Sequence, residues 1–233
     1  MIAMKPITII SEPWNINFKQ YPDINKSIAV VIDVLRATST IVSCLSAKAS
    51  IVIPAQTIEE SFMLRDAIGK AVLVGEKNSL IIPGFDLGNS PKNCFYYDFS
   101  YAPAIIKSTN GTPLIRSLSN AAQLLAASFL NLSTVADFLR ILSRSYPILI
   151  VEAGDEQKFS PPDNLCATLL KNKIIDPNTS VPSHSRLSDF MISSPHGRDL
   201  VKKGLAEDIY FSAQIDKIPI IPYFNGFGFV SIG

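Results

Sequence analysis

Short aliphatic runs, polar loops and helical patterns follow one another along this chain, and the order repeats. "IAVVIDV", starting at Ile28, passes through "LRATST" into the helical spacing of "STIVSCLSAK". "IVIPA" leads to "TIEESFMLRDAIG", where Thr57 and Glu60 stand at capping-box spacing and Gly69 at a helix C-cap. "AVLVGE" opens onto the Gly-, Pro- and Asn-rich "KNSLIIPGFDLGNSPKN". "APAIIKS" leads through "TNGT" into "PLIRSLSNAAQLLAAS", which reads as a helix with Pro113 in its first turn. "YPILIVEAG" leads through "DEQKFSPPD" into "NLCATLLKNK".

Strands that are apolar at every position are covered on both faces. Repeated strand–loop–helix units therefore predict an α/β fold of three layers, α/β/α, around a largely parallel or mixed sheet. Residues 175–190 are rich in Pro and Ser and read as a loop, and "SPHGRDLVKKGLAEDIYFSAQ" after them reads as helix. The tail "KIPIIPYFNG" is extended, with prolines that suit an edge strand. No linker is long or polar enough to demand two domains. Residues 1–233 are expected to form one, with a C-terminal part from about 175.

Composition narrows the function classes. Apolar residues are 47% and charged residues 18% of the chain, which excludes disorder. Twenty-one Lys and Arg against 20 Asp and Glu give a net charge of +1, so no nucleic-acid or membrane-surface footprint is expected. No apolar run reaches the ~18 residues of a membrane span, and the N-terminus lacks the apolar core of a signal peptide. Cys44, Cys94 and Cys166 are widely spaced, as reduced cysteines of a cytosolic protein would be. A cytoplasmic location follows as an expectation. The oligomeric state is open, a homo-oligomer among the options.

The polar clusters fall after strands and before helices, where open α/β sheets bind ligands. Helix N-termini there offer free N–H groups and a partial positive charge to anions. A site built from "DVLRATST", "GE", "GFDLGNSP", "TNGT" and "AGDEQKFSPPD" would gather carboxylates, an Arg, hydroxyls and backbone amides. That inventory suits a small phosphorylated acid and a hard divalent cation. Asp33, Asp163, Glu76 and Asp86 are oxygen ligands of the kind Mg²⁺ prefers, with Asp33 and Asp163 placed first. Arg36 can bind phosphate oxygens bidentately, and Ser39, Asn110 and Thr112 are expected to help it grip the phosphoryl group. Thr38, Thr40, Asn89, Ser90, Thr109 and Gly111 complete the expected substrate-binding set, while Asp33, Arg36, Glu76 and Asp163 are the expected catalytic residues. Attack by a carboxylate or by metal-bound water both remain open.

Other catalytic signatures fail. Leu35 occupies the second position of an Asp-x-Asp motif, and none of the three cysteines has an Arg six positions on. Gly-rich nucleotide loops and the G-x-S-x-G elbow do not occur. His184 and His196 lack metal-ligand spacing and read as surface or supporting residues.

Taken in order, "VVIDVLRATSTIV", "VGEKN", "GFDLGNSP", "STNGT", "VEAG" and "SPHGRDLVKKGLAEDIYFSAQIDKIPIIPYF" resemble the 2-phosphosulfolactate phosphatase (ComB) family over residues 28–223. The resemblance implies a Mg²⁺-dependent acid phosphatase that yields 3-sulfolactate and phosphate, a step of coenzyme M biosynthesis. The chain departs from the family pattern at Lys77, Pro113 and Pro162. A paralogue acting on another phosphorylated 2-hydroxy acid, or binding a phospho- or sulfo-acid without catalysis, is the alternative.

Overall fold

Every side chain of Ile28–Ile32 is buried, and alternate residues feed different cores. Ala29 and Val31 pack into one, Ile28, Val30 and Ile32 into the other. Such a strand has no solvent face, so it must lie between layers. A computed structural model, describing residues 4–232, shows how those layers are built.

The strands are β1 (Ile7–Ile10), β2 (Ile28–Ile32), β3 (Val52–Pro54), β4 (Val72–Lys77), β5 (Leu80–Ile81), β6 (Ala104–Lys107), β7 (Gln123–Ala127), β8 (Ile148–Glu152), β9 (Ile221–Phe224) and β10 (Phe229–Ile232). The helices are α1 (Ala37–Ser46), α2 (Ile58–Ile68), α3 (Pro91–Tyr96), α4 (Gly111–Ser117), α5 (Leu132–Leu142), α6 (Pro161–Ile175), α7 (His184–Ser193), α8 (Pro195–Lys202) and α9 (Ala206–Ser212). They form a mixed ten-stranded sheet in the order β1-β8-β2-β7-β9-β10-β3-β6-β4-β5, with helices on both faces. The expected α/β/α architecture is what the chain adopts. No helix among the described residues is long and apolar enough to cross a membrane.

Two parallel sets make up this sheet: β1, β8, β2 and β7, and then β3, β6 and β4. The β9–β10 hairpin joins them and runs antiparallel to the neighbour on each side. In hydrogen-bonding order the two sets therefore point in opposite directions. Neighbouring strands rotate by roughly 20–25°, so the six pairings from β2 to β4 accumulate roughly 120–150°. The sheet curls around α1, which touches β7, β9, β10 and β3, and α4, which touches β2 and β3. Rotation and curl together return the carboxyl ends of both sets to one place.

Three local expectations are corrected. "QLLAA" was expected to continue a helix, but α4 ends at Ser117 and Gln123–Ala127 is β7. Ala and Leu favour helix weakly; burial between β2 and β9, with Leu124 and Ala126 in one core and Leu125 and Ala127 in the other, outweighs that preference. The Pro/Ser-rich stretch is a loop only to Ser183, whose hydroxyl caps α7. Finally, β9 is central rather than an edge. Pro222 is tolerated because only Tyr223 pairs with β7, so the ladder on that side is short.

Candidate active site

At the meeting point of the two parallel sets lies a cavity of about 350 Å³. Asp33 reaches it from the end of β2, Glu76 from the end of β4, and Ser108, Thr109 and Asn110 from the loop after β6. Asp155 and Glu156 follow β8. The first residues of α8 close the other side with Pro195, His196 and Asp199. Segments up to 170 positions apart in sequence, from Asp33 to Lys203, thus face one space, as the strand-end rule anticipates.

Glu76 is held firmly. Its Oε1 accepts from both the Thr109 N–H and the Thr109 hydroxyl at 2.8 Å, and its Oε2 accepts from the Ser79 N–H at 2.8 Å. Asp33 Oδ1 accepts from the Ala37 N–H at 3.2 Å, in the first turn of α1. The other oxygen lies against Gly111: a Cβ there would stand 2.7 Å from Asp33 Oδ2, so only glycine fits beside this carboxylate. Burial pushes the Asp33 carboxyl up to about 7; the Ala37 N–H pulls it back, Glu76 and Asp155 add repulsion, and Arg36 relieves some of it.

Several expected site residues support the loops instead of facing the cavity. Asp163 is buried at the start of α6, where Oδ1 accepts from the Val34 N–H at 2.8 Å and Oδ2 from the Gly154 N–H at 3.2 Å. It ties the loop of Asp33 to the loop of Asp155. Burial, then the Asp33 charge, raise its carboxyl well above the usual range. Asp86 is exposed and accepts from the Leu73 N–H at 2.7 Å, outside the cavity lining. The Thr38 hydroxyl accepts from the Asp33 N–H and donates to its carbonyl. Ser39 donates to the Val34 carbonyl, and Thr112 exchanges hydrogen bonds with Ser108. Thr40 is fully buried, and Ser90 caps α3 while donating to Asp208. Apart from Thr40, whose hydroxyl finds no hydrogen-bond partner among the described residues, these hydroxyls shape the turns because local side-chain-to-backbone bonds satisfy strand ends and helix starts. Asn89, Thr109 and Asn110 do line the cavity.

Arg36 also lines it, but is largely committed. One guanidinium nitrogen donates to Asp208 Oδ2 at 2.7 Å and another to the Ser79 carbonyl at 2.7 Å. The remaining N–H groups of its five stay available to an anion. Lys203 similarly donates to Asp199 at 2.6 Å and to the Asn78 carbonyl at 2.9 Å. Both cations of the lining are therefore paired, whereas among its acidic side chains Asp33 and Glu76 form no ion pair and Asp155 faces only the His196 imidazole.

The four-carboxylate metal shell expected from the sequence does not form. Among the described residues no group of three or more His, Cys, Asp or Glu is arranged to hold a metal by itself. Asp33, Glu76 and Asp155 still fit Mg²⁺ chemistry, because this ion commonly takes one or two carboxylates and fills its shell with water and phosphate oxygens. Asp155 was missed: a loop Asp after "EAG" carries no signal distinguishing it from a turn residue.

His196 is the other correction. It was expected to be a surface or supporting residue, and it lines the cavity itself, with Nδ1 3.5 Å from Asp155 Oδ1. Burial lowers its proton affinity below the ordinary imidazole value, more than the facing Asp155 raises it. Its position at the N-terminal turn of α8 depends on long-range packing that no local pattern announces.

With this geometry in hand, comparisons with known proteins decide the family. The model of the 2-phosphosulpholactate phosphatase family matches residues 13–226. The chain belongs to that family. Its members are phosphoric monoester hydrolases, and so is this chain by membership. A probable 2-phosphosulfolactate phosphatase of Thermotoga petrophila is 37% identical over 205 residues, covering 83% of this chain and 87% of the relative. Family relatives of the same description from Symbiobacterium thermophilum and Carboxydothermus hydrogenoformans are each 32% identical. The first covers 90% of this chain and 96% of its own length, the second 83% and 84%.

Proposed function

We propose that the chain is a Mg²⁺-dependent phosphomonoester hydrolase of the cytoplasm, acting on 2-phosphosulfolactate to give 3-sulfolactate and phosphate for coenzyme M biosynthesis. Family membership supports the reaction class and the relatives' names support the substrate. The observation that carries the metal is electrostatic. Three carboxylates, Asp33, Glu76 and Asp155, face a cavity whose two fixed cations are already paired. A phosphate dianion entering it unaccompanied meets like charge in a low-dielectric space. Mg²⁺ held by one or two of these carboxylates, with water and phosphate oxygens completing its shell, would supply neutralisation at the phosphoryl oxygens.

The chain's own residues do the rest. Thr109 and the Ser79 N–H fix Glu76, Ala37 and Gly111 fix Asp33, and Asp163 holds the two acidic loops at constant separation. The free N–H groups of Arg36 bind the phosphoryl oxygens. Asp155 orients the His196 ring through Nδ1, which leaves Nε2 to move a proton at the reacting oxygen.

Phosphate release from 2-phosphosulfolactate and from 4-nitrophenyl phosphate, with EDTA and with Mg²⁺, tests this reading. Turnover is expected only with the metal, a rise of at least about a hundredfold given the charge stabilisation involved. Equal turnover in EDTA would refute the metal role, and no turnover on any monoester would refute the hydrolase.

A further inference from the structure

A second cavity of about 650 Å³ adjoins the first and shares Thr109, Asn110 and Glu156 with it. Its character is the opposite. Trp14, Ile16, Phe18, Pro113 and Leu114 provide its apolar walls, and among the described residues Glu156 is the single charged one of its lining. The boundary is structural as well as spatial. Thr109 holds Glu76 on the first side, and Asn110 Oδ1 accepts from the Glu156 N–H at 3.2 Å. Trp14 also packs on Gly154, where a Cβ would stand 2.6 Å from its ring, next to Asp155 of the first cavity.

A ligand anchored by its phosphoryl group among Asp33, Arg36 and Glu76 therefore has an adjoining apolar chamber for its organic part. No cation in that chamber could pair a carboxylate or sulfonate, and Glu156 would repel either. An uncharged ring, by contrast, exchanges water for aromatic and aliphatic walls, and ligand sites are commonly built in this way from an apolar pocket with a few polar groups. We propose that the second cavity is a leaving-group subsite that admits phosphomonoesters with an uncharged aromatic or bulky aliphatic organic part, the phosphoryl end occupying the first cavity. This rests on the phosphatase reading and widens its substrate class beyond small acidic esters. The step stays ordinary hydrolysis: water adds across the P–O bond, hydroxide to phosphorus and the proton to the departing alkoxide.

Benzyl phosphate and ethyl phosphate separate the subsite from the chemistry, because their leaving alcohols have comparable acidity. With Mg²⁺, kcat/KM for benzyl phosphate is expected to exceed that for ethyl phosphate by at least about tenfold through KM, as burial of a ring predicts. Trp14→Ala, which enlarges the chamber, and Ser117→Phe, which fills it, should each bring that ratio close to one. Trp14 is the only tryptophan of the chain, so its emission reports occupancy directly. Benzylphosphonate, which cannot be hydrolysed, should shift it in the presence of Mg²⁺, and ethylphosphonate should not. Equal kcat/KM for the two esters, a ratio unmoved in both variants, or a Trp14 spectrum blind to benzylphosphonate would overturn the subsite while leaving the phosphatase intact. No hydrolysis of either ester or of 2-phosphosulfolactate would overturn both.

Discussion

Asp33→Asn is expected to abolish phosphate release while making the metal-free protein more heat-stable. Activity should fall by about a thousandfold or more, the scale on which a single charged group at a reacting centre acts. The stability effect follows from linkage. Asp33 has a folded value of about 7 against an ordinary 3.8, so the folded state holds a proton that the unfolded chain has released. The contribution of the neutral carboxyl is complete below about 3.8 and is lost as pH rises through about 7. Above that pH the folded protein carries a buried carboxylate facing Glu76 and Asp155. The amide is neutral at every pH, and its oxygen can still accept from the Ala37 N–H. Thermal melts in EDTA should show the variant about 4 °C or more above the wild type at pH 8, with the gap closing toward pH 4. If Asp33 holds the proposed Mg²⁺, saturating Mg²⁺ should raise the Tm of the wild type alone. A variant that melts lower than wild type at both pH values, or that keeps a tenth of the activity, would contradict this placement of Asp33.

Asp163→Ala should behave in the reverse way, losing stability first and activity as a consequence. The substitution strips the acceptors from two buried N–H groups, those of Val34 and Gly154, at about 1–3 kcal/mol each. Relief of its own burial and of its repulsion with Asp33 returns part of that. A net loss of about 3 kcal/mol lowers Tm by about 6–12 °C for a chain of this size. Asp163→Asn keeps one acceptor and should cost roughly half as much. Melts in EDTA at pH 6 check both variants. Unchanged Tm in both, with Mg²⁺ affinity lost, would return Asp163 to the metal and remove its role as the tie between loops.

The contrast between these two carboxylates shows what the sequence could and could not specify. Asp33 opens a polar loop after an aliphatic strand and Asp163 closes one, and by pattern alone they are equivalent. Asp33 leaves the end of β2 with its oxygens toward the cavity, whereas Asp163 is the third residue of α6 and bonds neighbouring backbone from behind. The apolar runs fixed β2, β4, β6 and β8 well, because strands buried on both faces have a composition nothing else requires. The capping signals around α2 were equally readable: Thr57 accepts from the Glu60 N–H at 3.0 Å, and Gly69 has φ of 87°. By contrast, "QLLAA" has helical residues in a strand whose reason is the neighbours it packs between, and Pro222 sits mid-sheet because pairing on one side is sparse. His196 and Asp155 come together from α8 and the loop after β8, 41 positions apart, a proximity set by the docking of a helix and invisible in either segment.

Binding of inorganic phosphate to the wild-type protein at pH 7, followed by calorimetry with and without Mg²⁺, probes the charge imbalance of the cavity itself. Tight binding should appear only with the cation, tighter by about a hundredfold or more than in EDTA. Phosphate that binds equally well in EDTA would mean that Arg36 and Lys203 suffice, and that the carboxylates facing the cavity hold no metal.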